Sequence, residues 1–342
     1  MKIGGVALAV LAVGLALGAV AVAPGSGQAA DKYWRTAIPG GFVRSEGRGC
    51  TTRLIGGGDL PYRVRVVDGD IILKTLDLVR QFAAPLETGM LPDGEIVTGS
   101  GHLRRAWLSD PTDRYDHGVL GDQLEAGAVV AMTDDRRELV FSLGPESVFE
   151  DRFPRLVDIT GDGRQEILLV RSYLDQGAAL VVLGAVGDRL RVLAETPPIG
   201  SAHRWLNPAG VADFDGDGRP EIAYIVTPHI GGVLKIIEWT GDSWRTEFIR
   251  RGYANHVLGS QALRLSAVID YDDDGVDDLI VPTQDRRRLE VLRFDGETYQ
   301  TRARLELGSE LVSDIALCDL DENGRVDLIF VMADDQVGVL LR

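Results

Sequence analysis

Four short acidic segments in the C-terminal half of the chain have the residue types and spacing of a cation-binding loop. Each reads Asp-x-(Asp/Thr)-x-(Asp/Asn)-Gly-x-x-(Asp/Glu), and the four begin at Asp158, Asp213, Asp270 and Asp319. Successive first residues are 55, 57 and 49 positions apart. Oxygen atoms at alternate positions of a tight turn can converge on one hard cation, and the glycine permits the sharp turn. A solvated acidic turn is the alternative for a single copy, but it does not explain four copies with identical offsets.

The spacing predicts Ca²⁺ as the ion, with up to four sites. Positions 1, 3, 5 and 9 of each loop would supply side-chain oxygens, and position 7 would supply a backbone carbonyl. An EF-hand is excluded because its position 12 would be Glu, whereas the four segments have Leu, Tyr, Val and Phe there. The second and third loops have four carboxylates each, so we expect them to bind tightest. The predicted ligands are Asp158, Thr160, Asp162, Arg164 and Glu166; Asp213, Asp215, Asp217, Arg219 and Glu221; Asp270, Asp272, Asp274, Val276 and Asp278; and Asp319, Asp321, Asn323, Arg325 and Asp327.

Each acidic loop lies between two apolar segments of strand length. The segments that follow the loops, such as residues 167–170 and 328–332, are continuously apolar, as strands buried on both faces are. Two alternating strands come next in the unit, joined by a short turn such as residues 295–298. Four strands in about 50 residues is the size of one propeller blade. A β-sandwich, the alternative for many short strands, does not explain the repetition.

We therefore predict an all-β fold, a β-propeller of about six four-stranded blades, with seven as the alternative. Residues 31–342 would form one domain, in which residues 151–342 are the blades with calcium loops. The last unit lacks an outer strand, because the chain ends soon after the segment at residues 337–341. A propeller closes in order to remove its sheet edges. A strand from residues 31–53 should therefore complete the last blade.

Two stretches upstream fit the four-strand pattern less regularly. Residues 95–150 predict a blade without an acidic loop, and its fourth strand would be residues 147–149. Residues 62–67 and 70–76 predict a further pair of strands.

The acidic loop followed by a strand resembles the FG-GAP/VCBS repeats of integrin α-subunit propellers and of many bacterial exported proteins. The resemblance covers about residues 151–342, although the Phe-Gly and Gly-Ala-Pro pieces of the repeat are poorly kept. It implies a β-propeller with calcium in the loops that join the first two strands of a blade. The family has many functions, so the resemblance implies a fold and not a specific activity.

The N-terminal segment has the composition of an export signal. Lys2 precedes an apolar run over residues 6–23, and small residues follow that would allow cleavage after Ala29 or Ala30. An uncleaved membrane anchor is the alternative, because the run approaches the length of a bilayer span. We predict a signal peptide over residues 1–30 and a periplasmic or secreted protein.

Charge and cysteine usage limit the classes of partner. A formal net charge of −16 argues against nucleic acid and against anionic lipid surfaces, since both require basic patches. The two cysteines, Cys50 and Cys318, can form a disulfide in an exported protein, which would suit closure of the last blade. The alternative is a pair of buried thiols.

Three of the five histidines, His117, His229 and His256, lie in similar Gly-containing apolar segments between predicted strands. In a propeller such loops can meet at one mouth of the channel, and Arg204 and Trp205 could complete a ligand site there. The alternative is that each histidine bonds its local backbone.

The sequence contains no recognisable catalytic motif, and no catalytic residue is predicted. It has no Gly-x-Ser-x-Gly elbow, phosphate loop or His-Glu-x-x-His. The main hypothesis is an exported calcium-binding propeller that acts as a protein- or glycan-binding or scaffold module. The alternatives are an exported carbohydrate-active lyase or hydrolase that uses the channel mouth, and a structural module of an envelope assembly.

Overall fold

The structure is a computed structural model that describes residues 20–21, 31–76 and 87–342. The predicted signal peptide lies outside these ranges, apart from the backbone of Val20–Ala21. Throughout the described ranges the chain is built from strands, with two 3₁₀ turns at Gly49–Thr51 and Gly57–Asp59 and no α-helix. These ranges hold no helix with the length and hydropathy that a bilayer crossing requires. The predicted all-β class is confirmed.

The strands of the described residues are numbered here in chain order. They are β1 (Val20–Ala21), β2 (Lys32–Ala37), β3 (Phe42–Glu46), β4 (Arg53–Gly56), β5 (Pro61–Val67), β6 (Asp70–Thr75), β7 (Val97–Thr98), β8 (Leu103–Thr112), β9 (Glu125–Thr133), β10 (Glu138–Ser142), β11 (Ser147–Phe149), β12 (Arg155–Val157), β13 (Glu166–Tyr173), β14 (Gly177–Val186), β15 (Arg189–Glu195), β16 (Leu206–Ala212), β17 (Glu221–Val226), β18 (Val233–Trp239), β19 (Trp244–Arg251), β20 (Ala267–Ile269), β21 (Asp278–Pro282), β22 (Arg288–Phe294), β23 (Tyr299–Glu306), β24 (Ala316–Cys318), β25 (Asp327–Val331) and β26 (Gln336–Leu341).

Apart from β11 and the two-residue β1, which pairs with β2, these strands form six antiparallel four-stranded units. Unit 1 contains β3–β6, unit 2 β7–β10, unit 3 β12–β15, unit 4 β16–β19, unit 5 β20–β23, and unit 6 β24–β26 with β2. Strand β11 pairs with β13 over three residues and with β9 through one pair, Phe149 opposite Ala126, so units 2 and 3 share one sheet. The expectation that residues 147–149 are the fourth strand of the upstream unit is therefore wrong. They pair mainly with the next unit, because β13 is long enough to accommodate both β11 and β12.

The N-terminal strand completes the last unit, as predicted. Strand β2 pairs with β26 in an antiparallel ladder that runs from Lys32 opposite Leu341 to Ala37 opposite Gln336. The Cys50–Cys318 disulfide forms and links the 3₁₀ turn at Gly49–Thr51 to β24. Two parts of the chain that are 268 residues apart in sequence are thus joined covalently as well as by strand pairing.

Loss of β2 is expected to destabilise the fold. A chain that starts at Ile38 instead of Asp31 leaves the outer edge of β26 unpaired and removes the buried Tyr33 ring, and loss of a buried aromatic alone costs about 3 to 5 kcal/mol. Thermal unfolding followed by circular dichroism measures the effect. Lys32→Ala, at an exposed position of the same strand, is the matched control. An unchanged melting temperature in the shortened chain would show that this strand does not contribute to closure.

Apolar side chains are buried between neighbouring units. Alternate residues of β17 point in opposite directions: Ile222 and Tyr224 pack toward unit 3, whereas Ala223 and Ile225 pack toward unit 5. This two-sided burial explains why the strands after the acidic loops are continuously apolar. Five neighbouring pairs of units share such a cluster: Leu108 with Ile167, Leu168 with Ile222, Ile225 with Leu279, Ile280 with Phe330, and Ile329 with Leu54. Units 1 and 2 are instead connected by the Arg48–Glu95 ion pair at 2.5 Å.

First strands from different units line common cavities. A cavity of about 330 Å³ is lined by residues of β12, β16, β20 and β24, the first strands of units 3 to 6. A larger cavity of about 1030 Å³ is lined by β3 and by the segments that lead into four other first strands. Representative residues of the larger cavity are Arg44, Glu95, Arg152, Arg264 and Asp314.

Candidate functional site

The four acidic loops join the first and second strands of units 3 to 6, and all four have the same hydrogen bonds. The carboxylate at position 9 accepts a hydrogen bond from the backbone N–H at position 2, at 2.7 to 3.0 Å. The Asp at position 1 accepts one from the N–H of the Gly at position 6, at 2.8 to 2.9 Å. The side chain at position 5 accepts one from the N–H at position 7, at 2.7 to 3.0 Å. Four segments of different sequence thus each adopt the same turn conformation.

Two positions of each loop have a left-handed backbone. The Gly at position 6 has φ between 82° and 91° in all four copies, which explains the invariant glycine. Position 4 is also left-handed, at Gly161, Gly216, Asp273 and Glu322. The sequence pattern did not indicate this second position because only two of its four residues are glycine. At the other two, the surrounding hydrogen bonds hold Asp and Glu in a conformation that they rarely adopt.

Acidic side chains of each loop converge as a metal site requires. Two Ca²⁺ ligands on opposite sides of the ion are about 4.8 Å apart, because each Ca–O distance is about 2.4 Å. In every loop, one ligand atom from each of three or four carboxylates lies within 4.8 Å of the others. The sets are Asp158, Asp162 and Glu166; Asp213, Asp215, Asp217 and Glu221; Asp270, Asp272 and Asp278; and Asp319, Asp321 and Asp327.

The remaining predicted ligands have other roles in the structure. Thr160 Oγ1 donates to Glu166 at 3.2 Å, and Asn323 Nδ2 donates to the carbonyl of Arg342 at 2.6 Å. Asp274 is ion-paired with Arg293, which also pairs with Asp272. The residues at position 7, whose carbonyls were predicted as ligands, each donate a backbone N–H to the side chain at position 5. These residues are Arg164, Arg219, Val276 and Arg325.

The second loop is the best match to a hard divalent cation. It is the loop whose four carboxylates all converge. Asp213 Oδ1 and Glu221 Oε1 are buried and have no hydrogen-bond partner, so both are oriented as ligands without a counter-ion. Burial, with the nearby carboxylates of Asp215, Glu247 and Asp213, raises the pKa of Glu221 to about 8. A donor set made only of carboxylate oxygens favours Ca²⁺ over softer metals.

A cluster of aromatic and imidazole rings lies at the ends of the strands opposite the acidic loops, and this side of the sheets is called the opposite edge below. In an antiparallel unit, the connection from strand 1 to strand 2 is at one edge, and the connections from strand 2 to 3 and from strand 4 to the next unit are at the other. His117 lies between β8 and β9, His203 between β15 and β16, His229 between β17 and β18, and His256 between β19 and β20. All four therefore belong to the edge without acidic loops. We use the name histidine cluster for Tyr115, His117, His203, Trp205, His229 and His256.

Ring contacts join the histidine cluster in two groups. His117 and His203 have centroids 5.3 Å apart, and the ring of Tyr115 contacts both. Trp205 contacts His229 at 6.1 Å and His256 at 4.8 Å. The two groups meet at Glu150. Trp205 Nε1 donates to the backbone carbonyl of Glu150 at 3.0 Å, and the Glu150 side chain bonds His117.

Hydrogen bonds fix the tautomers of two histidines. His256 Nε2 donates to the carbonyl of Ser260 at 2.8 Å, since a carbonyl can only accept. Burial, together with the nearby guanidinium of Arg286, lowers the pKa of His256 to about 3 even though that bond raises it, so the ring is neutral and its Nδ1 accepts. His229 Nε2 lies 2.8 Å away and must donate to it. Burial and the nearby guanidinium of Arg286 lower the pKa of His229 to about 4, which leaves its Nδ1 as a free lone pair at neutral pH.

Below the rings, Glu150 is a buried carboxylate that orients His117. Its Oε1 lies 2.5 Å from His117 Nδ1, and its Oε2 accepts a hydrogen bond from Ser172 Oγ. Burial raises the pKa of Glu150, and the hydrogen bond from His117 opposes this. When Glu150 is ionised, His117 Nδ1 donates to it, which fixes the orientation of the ring. This is the geometry of a carboxylate-oriented imidazole.

Sequence reasoning located part of this cluster. The predicted residues His117, His229, His256 and Trp205 are brought together, whereas the Arg204 side chain is exposed and its carbonyl accepts from the N–H of Ala178 at 2.8 Å. Tyr115, His203 and Glu150 were missed. The position of His203, two residues before the predicted Trp205, could have indicated that it belongs to the cluster. No pattern in the sequence indicates that Glu150 reaches His117.

Comparison with known proteins concerns the acidic loops. Residues 158–224 match the family model described as the FG-GAP-like repeat. This segment is an FG-GAP-like repeat. It contains the first and second acidic loops, and the third and fourth loops have the same hydrogen bonds as these two. Among curated proteins there is no significant match.

Two solved structures are similar to the chain at low identity. One is Bacillus licheniformis rhamnogalacturonan lyase PL11, with 17% identity and a TM-score of 0.45 over 92% of this chain and 64% of that one. The other is the exotype rhamnogalacturonan lyase YesX, with 17% identity and a TM-score of 0.45 over 92% of this chain and 62% of that one. The chain thus spans less than two thirds of the length of either lyase.

Glu125, a buried carboxylate at the start of β9, is expected to make stability depend on pH. Burial and the neighbouring carboxylate of Glu150 raise the pKa of Glu125 to about 10, far above its ordinary value. Between these two values the folded state binds the extra proton, so stability falls as pH rises, with a limiting slope of about 1.4 kcal/mol per pH unit. Glu125→Gln should flatten the decline between about pH 5 and 9. Urea unfolding across that range measures it, and exposed Glu138→Gln is the control. A wild-type slope retained in Glu125→Gln would contradict the assignment.

Proposed function

We propose that the chain is a six-bladed β-propeller in which each four-stranded unit is one blade. Three observations support it: neighbouring units share apolar cores, first strands of different units line common cavities, and β2 pairs with β26. The described strands make up six such units, which favours six blades over seven. Closure through β2 would cover the open edge of β26 in the last sheet.

The four acidic loops are proposed to hold one Ca²⁺ each. The side chains at positions 1 and 9 would bind it in every loop, that at position 3 in the second, third and fourth loops, and that at position 5 in the first and second. The role is structural: a bound cation neutralises the clustered carboxylates and ties the start of the second strand to the preceding turn. Buried, unpartnered oxygens of Asp213 and Glu221 support this assignment most directly.

The third loop, which its four carboxylates alone would make one of the two tightest sites, is instead expected to be the weakest because of Arg293. Its guanidinium ion-pairs with Asp272 and Asp274 and so competes with a cation for them. Arg293→Gln should raise calcium affinity at one site by about tenfold, since loss of an ion pair of about 1.4 kcal/mol corresponds to that factor. Calorimetric titration measures it. Arg288→Gln, on the same strand and paired with Glu306, is the control. Equal titrations of both variants would rule out competition by Arg293.

The histidine cluster is proposed as the binding face, and a glycan as its ligand. The carrying observation is that loops of three different units bring six rings to one place, with a lone pair at His229 Nδ1. Neutral ring nitrogens can accept hydrogen bonds from sugar hydroxyls. The rings that a ligand could reach are those of His117, His203 and His229, whereas Tyr115, Trp205 and His256 are buried. The blades and their calcium loops then form a rigid scaffold for this face.

Binding to a panel of polysaccharides and oligosaccharides tests the glycan proposal. His117→Ala/His229→Ala should lose binding, whereas His102→Ala should bind like wild type, because His102 lies in the loop between β7 and β8, on the side of the acidic loops. Melting temperatures of all three proteins establish that they are folded. If no glycan binds and an envelope protein is captured through the same face, the ligand is a protein. Binding that is unaffected by both variants would place the ligand site elsewhere.

A carbohydrate-active enzyme is the second candidate, and the His117–Glu150 pair favours it. A buried carboxylate that holds an imidazole with Nε2 free is an arrangement suited to proton abstraction. Incubation with the same polysaccharides and measurement of new reducing ends or unsaturated products tests it. Glu150→Gln should abolish such activity while glycan binding is kept. Absence of products from every ligand that binds would exclude this candidate.

Export of the protein is proposed on two grounds. The Cys50–Cys318 disulfide is typical of oxidising compartments, and the acidic balance disfavours nucleic-acid partners. The periplasm or the extracellular medium supplies both oxidation and calcium.

A further inference from the structure

Three glutamates form a carboxylate cluster that extends beyond the second acidic loop. Glu221 closes that loop, whereas Glu238 lies on β18 and Glu247 on β19, outside the loop motif. One oxygen from each lies within 4.8 Å of the other two. The side chains of Glu221 and Glu238 are fully buried, and that of Glu247 is 11% exposed. Three carboxylates at this spacing away from solvent require positive charge.

Strand register makes the cluster unusual among the units. Glu221 is the direct cross-strand partner of Glu238, and like charges in that arrangement are destabilising. The residue opposite position 9 differs elsewhere. From the registers Ile167–Leu183, Leu279–Leu292 and Leu328–Leu340, it is Gly184 in unit 3, Arg293 in unit 5 and Leu341 in unit 6. Unit 5 thus has a positively charged side chain beside its acidic loop, whereas unit 4 has a further negatively charged side chain beside its acidic loop.

Charge around the second loop exceeds what one divalent ion neutralises. The loop and the cluster together have six carboxylates: Asp213, Asp215, Asp217, Glu221, Glu238 and Glu247. Arg219 and Arg245 are the guanidinium groups paired with them, at Glu238, Asp217 and Glu247. When all six carboxylates are ionised, as metal binding requires, four negative charges remain, which equals the charge of two Ca²⁺ ions. Both arginine side chains are about half exposed, 51% and 49%, so they can turn toward solvent.

An unpartnered oxygen within the cluster points to a ligand. Glu221 uses Oε2 to accept a hydrogen bond from Phe214 N at 2.7 Å, and its buried Oε1 has no partner. Tyr299, also buried, adds a hydroxyl at 3.4 Å from Glu247 Oε2. We propose that Glu221, Glu238 and Glu247 bind a second Ca²⁺ beside the ion of the second loop, with Glu221 bridging the two. This rests on the proposed calcium loops.

Counting calcium tests the second ion. Protein dialysed to equilibrium against excess CaCl₂ is analysed by mass spectrometry, and the calcium of the dialysate is subtracted to give the calcium bound per chain. Glu238→Gln/Glu247→Gln should contain one ion fewer than wild type, whereas Glu306→Gln, an exposed glutamate of β23, should equal wild type. The melting temperature in EDTA shows whether the double variant is folded. If it is not, Glu247→Gln alone is titrated calorimetrically and should weaken one site by about tenfold.

Separate outcomes distinguish this inference from the proposal on which it rests. No calcium in wild type would mean that the acidic loops do not bind it, and both statements would fail. Calcium in wild type with an equal count in Glu238→Gln/Glu247→Gln, and an unchanged titration of Glu247→Gln, would overturn the second ion alone. Loss of two ions in the double variant would mean that the pair is one cooperative site, and the two-site assignment would be wrong.

Discussion

Removal of calcium is expected to lower the melting temperature by roughly 10 to 20 °C. Extracellular calcium modules bind at about 10⁻⁴ to 10⁻³ M, so about 10 mM CaCl₂ stabilises each occupied loop by about 1.4 to 2.7 kcal/mol. Four loops together would contribute about 6 to 11 kcal/mol. The reason is that the convergent carboxylates repel one another once the ion is gone. Differential scanning calorimetry in CaCl₂ and in EDTA measures the shift.

A matched pair of variants assigns the effect to the loops. Asp213→Asn removes one ligand of the second loop and should reduce the calcium-dependent stabilisation by the contribution of one site, about 1.4 to 2.7 kcal/mol. Asp188→Asn, at an exposed turn of unit 3, should leave it unchanged. Magnesium should substitute poorly because it demands a smaller octahedral site. Identical melting curves in CaCl₂ and EDTA would refute calcium binding in these loops.

Loss of the Cys50–Cys318 disulfide is expected to lower the free energy of unfolding by about 3 to 5 kcal/mol. The bond closes a loop of 268 residues, and the restriction that it places on the unfolded chain grows with loop length. It also fastens unit 1 to β24 of unit 6, next to the place where β2 completes the last sheet. Guanidinium unfolding of Cys50→Ala/Cys318→Ala against wild type measures the difference.

Reducing agent provides the control for the disulfide. Dithiothreitol should destabilise wild type toward the value of the double variant and should not affect the variant itself. Equal stability of wild type and variant under oxidising conditions would contradict the prediction. Because strand pairing of β2 with β26 is retained in both, the comparison separates covalent closure from closure by hydrogen bonds.

The strands near the acidic loops were predictable from the sequence because their signals are local. Continuous apolar runs after each loop became β13, β17, β21 and β25, and the two-sided burial of β17 shows why those runs do not alternate. The missing outer strand of the last unit correctly indicated that an N-terminal strand would fill it. Residues 147–149 were assigned to the wrong unit, since strand pairing depends on which neighbour offers a free edge.

The histidine cluster could be predicted only in part. Similar Gly-containing contexts identified His117, His229 and His256, but their partners come from distant segments. Tyr115 and His203 are 88 residues apart, and His117 and Glu150 are 33 apart. No local pattern specifies such contacts, because they depend on how the loops of successive units meet.

By itself, the sequence determined the all-β class, the acidic loops and the repeated unit, because spacing and periodicity act over a few residues. Tertiary structure decided how the loops differ from one another. Cross-strand register places Glu238 opposite Glu221, whereas the corresponding register places Arg293 beside the third loop. Two loops with the same four carboxylates in sequence thus have opposite electrostatic surroundings. That difference lies in strand pairing, which brings together charges that the sequence keeps about 15 to 17 residues apart.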